Sequence, residues 1–301
     1  MIINLLPDNK RLHLQHGPID LVIEVFGSQV EITKAYRRAA ERFQTILEEL
    51  AAELPLLRTA IKPDTARPVG SIARSMRAAT EPHADDFITP MAAVAGAVAD
   101  EVLNALCQGA VLDKAYVNNG GDIALYLKAQ GDETFRAGIV SDLRISEMLS
   151  TATINAAMGI AGIATSGRHG RSYSLGIADS VTVFAANAAT ADAAATIIAN
   201  KIDLPNNQKI IRQPASQLSP DSDLGEQLVT IDVAELSSQE KATALAAGQE
   251  RAQQLCQTGV IEAAFLSLQG KVQIIDWAID APAVFTPHSN LSTIENRIAH
   301  A

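Results

Sequence analysis

The stretch SVTVFAANAATADAAAT, Ser180 to Thr196, joins an apolar β-type run to a helix made almost wholly of small residues. Such a helix has little side-chain bulk of its own, so it gains stability only where other backbone packs closely against it. Close helix packing on small residues is therefore expected. The composition fits: 48% of the 301 residues are hydrophobic, only 4% aromatic and 19% charged. A globular chain of this length builds a sizeable core, as one large domain or two small ones.

The formal net charge of −10 argues against nucleic acid and against an anionic membrane surface as partners, because both repel such a chain. The two cysteines, Cys107 and Cys256, lie in apolar helical contexts outside any CxxC, and read as buried thiols. The opening MIINLLPDNKRLHLQHGP lacks a basic segment followed by a long apolar one, and no run of about 18 apolar residues is evident. A cytoplasmic protein is expected.

Several elements are legible locally. Ile19–Gly27 reads as a strand ending at glycine. Ile32, Tyr36, Ala39, Phe43, Ile46, Leu47, Leu50 and Leu54 share one face of a helix whose polar face carries Arg37, Arg38, Glu41, Arg42, Glu48 and Glu49. That polar face is expected in solvent. Residues 62–71 read as loop. A buried helix follows, with Thr89 as N-cap, Pro90 in its first turn, Gly96 admitting a neighbouring backbone and Gly109 ending it. Ser237 and Glu240 form a capping box, and Gln269-Gly270 turns a hairpin. The polar tail from Pro282 is expected to dock as a short helix. No repeat or linker appears, so one α+β domain spanning 1–301, with room for two intertwined lobes, is expected.

Three stretches could carry chemistry. In VNNGGD two glycines let a ligand touch the backbone beside Asn118, Asn119 and Asp122, though a plain turn has the same look. In ATSG, Thr165, Ser166 and the Gly167 amide could form a nest for phosphate or carboxylate, and Arg168 and Arg171 follow at once. Asp192 and Thr196 stand four apart on one helix face, where a carboxylate and a hydroxyl suit a hard cation such as Mg2+ or Ca2+. The alternative there is a polar helix edge with Thr196 bonded back to Asp192 or its carbonyl.

The order of these stretches is more informative than any one of them. VNNGGDI, then GIATSG, then SVTVFAANAATADAAAT resembles the FAD:protein FMN transferase (ApbE) superfamily, over about residues 19 to 200. HLQHGPIDLVIE, ITPMAAVAGAVAD and GRSYSLGIADSVTV resemble its compact branch of largely unassigned role. The resemblance implies an ApbE-like, T-fold-like α+β fold of mixed and antiparallel sheets packed with helices. It implies a divalent metal held by Asp192, Thr196 and the Ala164 carbonyl against an FAD diphosphate. Asn118, Asn119, Gly120, Gly121, Asp122, Thr165, Ser166 and Gly167 would then line the flavin site. The implied chemistry is diphosphate cleavage and transfer of FMN to a protein Thr or Ser.

Two departures alter that picture. Ala95 stands where the family carries a lysine, and RHGRSYSLGIAD replaces a His-Ile-x-Asp-Pro-x-Thr-Gly segment. Arg168 and Arg171 read as an anion subsite in the rebuilt loop, with Asp179 as an acid/base or polar contact. Three functions follow as expectations. One is a small-molecule enzyme, metal-assisted or Arg-clamped, acting on a carboxylated or phosphorylated compound. The second is a Mg-dependent, FAD-binding FMN transferase, and the third a non-catalytic flavin or ligand binder. The expected partner is a small anionic ligand or nucleotide; a homo-oligomer is compatible with all three.

Overall fold

A computed structural model of the chain describes residues 1–141, 148–276 and 285–287. Of the tail from Pro282 only 285–287 are described, and they form a strand paired with Ser150–Ala152 rather than the expected helix; the rest lies outside the described residues. The chain opens with β1 (Ile2–Leu5), β2 (Leu12–His16), β3 (Ile19–Gly27), α1 (Gln29–Ala52), α2 (Leu54–Leu57), α3 (Ser71–Thr80) and α4 (Val94–Cys107). It continues with β4 (Leu112–Asn119), β5 (Asp122–Leu127), β6 (Thr134–Val140), β7 (Met148–Asn155), β8 (Gly162–Ser166), β9 (Ser180–Ala185) and α5 (Ala188–Lys201). It closes with β10 (Ile210–Pro214), α6 (Ala215–Leu218), β11 (Leu228–Val233), α7 (Ser238–Gln257), β12 (Ala263–Leu268), β13 (Lys271–Asp276) and β14 (Phe285–Pro287). The class is α+β with antiparallel pairing, as the sequence led us to expect.

These elements form two compact units of interleaved segments. The first comprises Met1–Thr134, Asn155–Ala164 and Phe184–Ala193; the second comprises Phe135–Ile154, Thr165–Val183 and Ala194–Ala301. In the first, β1, β2, β3, β4 and β5 are neighbours in that order, each pair antiparallel. β3 alternates buried and partly exposed residues, the period of a strand with one covered face. α1 packs on β3 and α4, burying Ala35, Ala39, Phe43, Ile46 and Leu50. Its polar face is not all solvent: the Arg42 Nε donates to Glu101 of α4 at 2.7 Å.

In the second unit β9, β12 and β13 are neighbours, β10 pairs with β11, and β14, β7 and β6 form a small sheet. α7 covers β12 and β13, and its capping box at Ser237 and Glu240 is formed. Gln269 and Gly270 both have positive φ, 45° and 80°, the geometry of a two-residue hairpin turn.

Four details differ from the sequence reading. β1, β2, α3, β7, β10, α6 and β14 were not read from it. Thr89 and Pro90 open a short 3-10 turn, Pro90–Ala93, and the α-helix itself begins at Val94. Pro90–Cys107 is, by length and mean hydropathy, apolar enough to cross a membrane, and half of it is buried inside the fold. With Ala97, Val98, Ala99, Val102 and Leu106 in the core, α4 is the central helix of its unit. Cys256 is buried, but Cys107 is only partly so, its thiol pushed up to about 11 by burial.

Candidate functional site

In the first unit the glycine turn is a tight hairpin. Asn119 pairs with Asp122 across Gly120 and Gly121, whose φ values are 66° and 117°. Both asparagines have internal partners. The Asn118 Oδ1 accepts from the Gly121 amide at 2.8 Å, and the buried Asn119 donates from Nδ2 to the Ala95 carbonyl at 3.0 Å. They hold the turn and tie it to the start of α4. A Cβ on Gly121 would meet nothing within 4 Å, so one side of the turn is open.

Asp192 is seated by backbone. Its Oδ2 accepts from the Gly96 amide, in the first turn of α4, at 3.1 Å. A carboxylate there satisfies an N–H that has no partner within the helix and meets its positive end. One turn before Asp192, the amides of Ala188 and Ala189 donate to the two oxygens of Asp100, on α4, at 3.0 and 2.9 Å. Asn187 Oδ1 takes the next amide, Thr190, at 2.8 Å. Two glycines make room. A Cβ on Gly96 would stand 2.2 Å from the Ala188 carbonyl oxygen, and one on Gly162 would stand 2.1 Å from the Asn187 carbonyl carbon. The close approach expected at Gly96 is therefore present, and the residue it admits is the first of α5.

Two other carboxyls, Asp122 and Asp100, act on Asp192. Burial pushes the Asp192 carboxyl well above the usual carboxylate range, and the charge of Asp122 pushes the same way; the Gly96 and Ala95 amides pull it down. Burial also pushes Asp100 up to about 6 against its two amides. Among the described residues no group of three or more His, Cys, Asp or Glu converges as a metal cage. The donors that the resemblance names in this unit are hard oxygens, the Asp192 carboxylate and the carbonyl of the fully buried Ala164; Thr196 belongs to the second unit. That set fits Mg2+ or Ca2+ in kind.

In the second unit the basic loop is arranged differently from the expectation. Arg168 does not stand open for an anion. Its Nε and Nη2 both donate to Asp179 Oδ1, at 3.0 and 2.8 Å, and both side chains are buried. The Gln269 amide donates to the other Asp179 oxygen, and His169 Nε2 lies 3.6 Å from Oδ1. The two residues given separate roles, anion clamp and acid/base, thus form one buried ion pair, fastened to the β12–β13 turn. Arg171 is exposed. Thr165 shares a 2.9 Å hydroxyl contact with Thr182, Ser166 is partly buried, and Gly167 lies against the Asp179 carbonyl, where a Cβ would stand at 2.5 Å.

Sequence reasoning missed Asp100 and the pairing of Arg168 with Asp179. The signal for Asp100 was an acid one turn after Gly96 in a largely apolar helix, an expensive place for a carboxylate without partners.

A family model described as "AbpE bacteria" matches residues 3–274. The chain belongs to that family. It is thus an ApbE-like protein, as the motif order implied. Two curated relatives are UPF0280 proteins. That of Methanothrix thermoacetophila is 34% identical over 193 residues, covering 62% of this chain and 75% of the relative. That of Methanopyrus kandleri is 36% identical over 182 residues, covering 59% and 69%. Among solved structures, the flavin transferase ApbE from Vibrio cholerae is similar over 89% of this chain and 97% of its own, at 13% identity and a TM-score of 0.40. The ApbE protein of Thermotoga maritima is similar over 84% and 77%, at 14% identity and a TM-score of 0.37.

Proposed function

We propose that this ApbE-like protein binds a divalent cation, Mg2+ first among them, at Asp192, and through it the diphosphate of FAD or a related nucleotide. The observation that carries the reading is the seat of Asp192. One oxygen is fixed by the Gly96 amide, and the charge of Asp122 acts on the same carboxyl. A cation relieves that crowding of negative charge. The Ala164 carbonyl is the further ligand from this unit in this reading. When bound, the ion offsets charge that builds on the phosphates during cleavage.

The chain's own residues then have defined parts. The open side of the Gly120-Gly121 turn admits a ligand against backbone, and Asn119 fixes that turn to α4. FMN transfer to a protein Thr or Ser is the finer activity proposed. An enzyme that clamps its substrate with both arginines is the weaker reading, because Arg168 is already neutralised by Asp179.

Native mass spectrometry of the purified protein with FAD, with and without Mg2+, tests this. The expected result is an FAD adduct that needs Mg2+ and disappears in Asp192→Ala; an FMN-transfer assay then separates enzyme from binder. No FAD adduct at any concentration rejects the proposal. The same spectra read the oligomeric state.

A further inference from the structure

We infer that Asp100 is a positioning residue: through the first turn of α5 it sets where the Asp192 carboxylate stands. The inference rests on the cation reading of Asp192 for its functional meaning, and on α4 and α5 alone for its geometry.

The two helices cap each other. The residue before α4, Ala93, offers no side-chain cap, so the Gly96 amide takes its acceptor from Asp192 on α5. α5 in turn takes acceptors for Ala188 and Ala189 from Asp100 on α4. Gly96 and Asp100 are one turn apart on α4, as are Ala188 and Asp192 on α5. The four positions close a ring: Gly96 amide to Asp192, one turn back to Ala188, Ala188 amide to Asp100, one turn back to Gly96.

The ring has little slack. Gly96 and Gly162 leave no space between their own Cα atoms and the backbone of Asn187 and Ala188, so the start of α5 cannot slide toward either. Nor can it lift away without parting two amides from a carboxylate fork. Side chains that hold a ligating group through one intermediate bond commonly change metal affinity 10–100-fold when removed. Asp100 acts at that remove: it touches no proposed ligand atom, yet moving the first turn of α5, and Asp192 with it, away from α4 breaks its two bonds.

The test compares wild type with Asp100→Asn, Asp100→Ala and Asp192→Asn in the full-length protein. Mn2+ is titrated and followed by the electron paramagnetic resonance of the free ion, below the melting transition of every variant. Exchange of the Gly96 amide is measured in parallel without metal. Asp192→Asn is expected to abolish tight Mn2+ binding. Asp100→Ala is expected to weaken it about 10–100-fold and to speed Gly96 exchange. Asp100→Asn, which keeps one acceptor oxygen, is expected to fall between and supplies the answer if the alanine variant does not fold.

Folded Asp100 variants with wild-type Mn2+ affinity and unchanged Gly96 exchange overturn the inference. If wild type itself binds no Mn2+, the cation reading fails alone. Gly96 exchange then decides the positioning role: faster in the Asp100 variants upholds it, unchanged overturns it.

Discussion

At the start of α4 and α5, the carboxylates of Asp100 and Asp192 are held by backbone amides. In the loop after β8, the Asp179 carboxylate is held by the Arg168 guanidinium and by a single amide, that of Gln269. Amides offset only a partial charge, so in the first arrangement burial still raises both carboxyls above their ordinary range. A guanidinium neutralises in full, so the second leaves no charge to spare. The same residue type is thus held by amides in one region and by a counter-charge in the other.

The largest expected effect tests the fastening. Asp179→Ala leaves the buried Arg168 uncompensated and should cost about 3–5 kcal/mol in denaturant unfolding. The double replacement Arg168→Met with Asp179→Leu should cost less than Asp179→Ala alone. Equal losses would mean that Asp179 matters for something other than charge.

The next effect is pH dependence in the amide-held region. Asp100 titrates at about 6 when folded, against an ordinary value of 3.8. Between those values the folded chain holds the proton that the unfolded chain has lost. Stability is therefore full below about pH 4 and falls as pH rises through about 6, by at most about 3 kcal/mol. Asp100→Asn should flatten that decline, as read from chemical melts at successive pH values. A steeper decline in the variant would contradict the assignment.

Smaller again are the glycine contacts. Gly162→Ala and Gly96→Ala push a methyl into backbone that cannot retreat, and each should lose about 1–3 kcal/mol. Gly96→Ala should also weaken Mn2+ binding, because its amide holds Asp192. The smallest effect is at Arg171, exposed in the basic loop. Arg171→Ala should change stability by less than about 0.5 kcal/mol, so any fall in FAD affinity reports contact with ligand. Unchanged affinity removes Arg171 from the site.

What the sequence made legible was local. The apolar face of α1, the capping box of α7 and the Gln269-Gly270 turn each depend on residues within a few positions of one another, and each is present. β1 is short and wholly exposed, so nothing local announced it; α3 and β2 do carry a period, with Ile72, Ala73, Met76 and Ala79 on one buried helix face and Leu12 and Leu14 buried in alternation, and the sequence reading passed over both. The partners of Asp100 and Asp192 lie on another helix, nearly a hundred residues away, and no local pattern encodes them. Arg168 and Asp179 were both noticed as chemistry-bearing residues. Their separation of eleven positions, spanning two glycines and a serine-rich bend, hid that they meet. Gly96 is the useful exception: a glycine inside a buried helix pattern already indicates that something must come close, though not what.

The interleaving of the first unit also has a bearing on synthesis. Its last segment, Phe184–Ala193, emerges about 60 residues after its first segment ends at Thr134. Counted from the end of α4 at Cys107 to Ala193, about 86 residues, α4 waits roughly 4–17 s at about 5–20 residues per second for the strand end and helix start that cover Gly96. A nascent chain stalled in that interval leaves Gly96 uncovered and its amide without its Asp192 acceptor. That makes this interval the point at which a chaperone has most to protect, and a codon change that slows it the one most costly to yield.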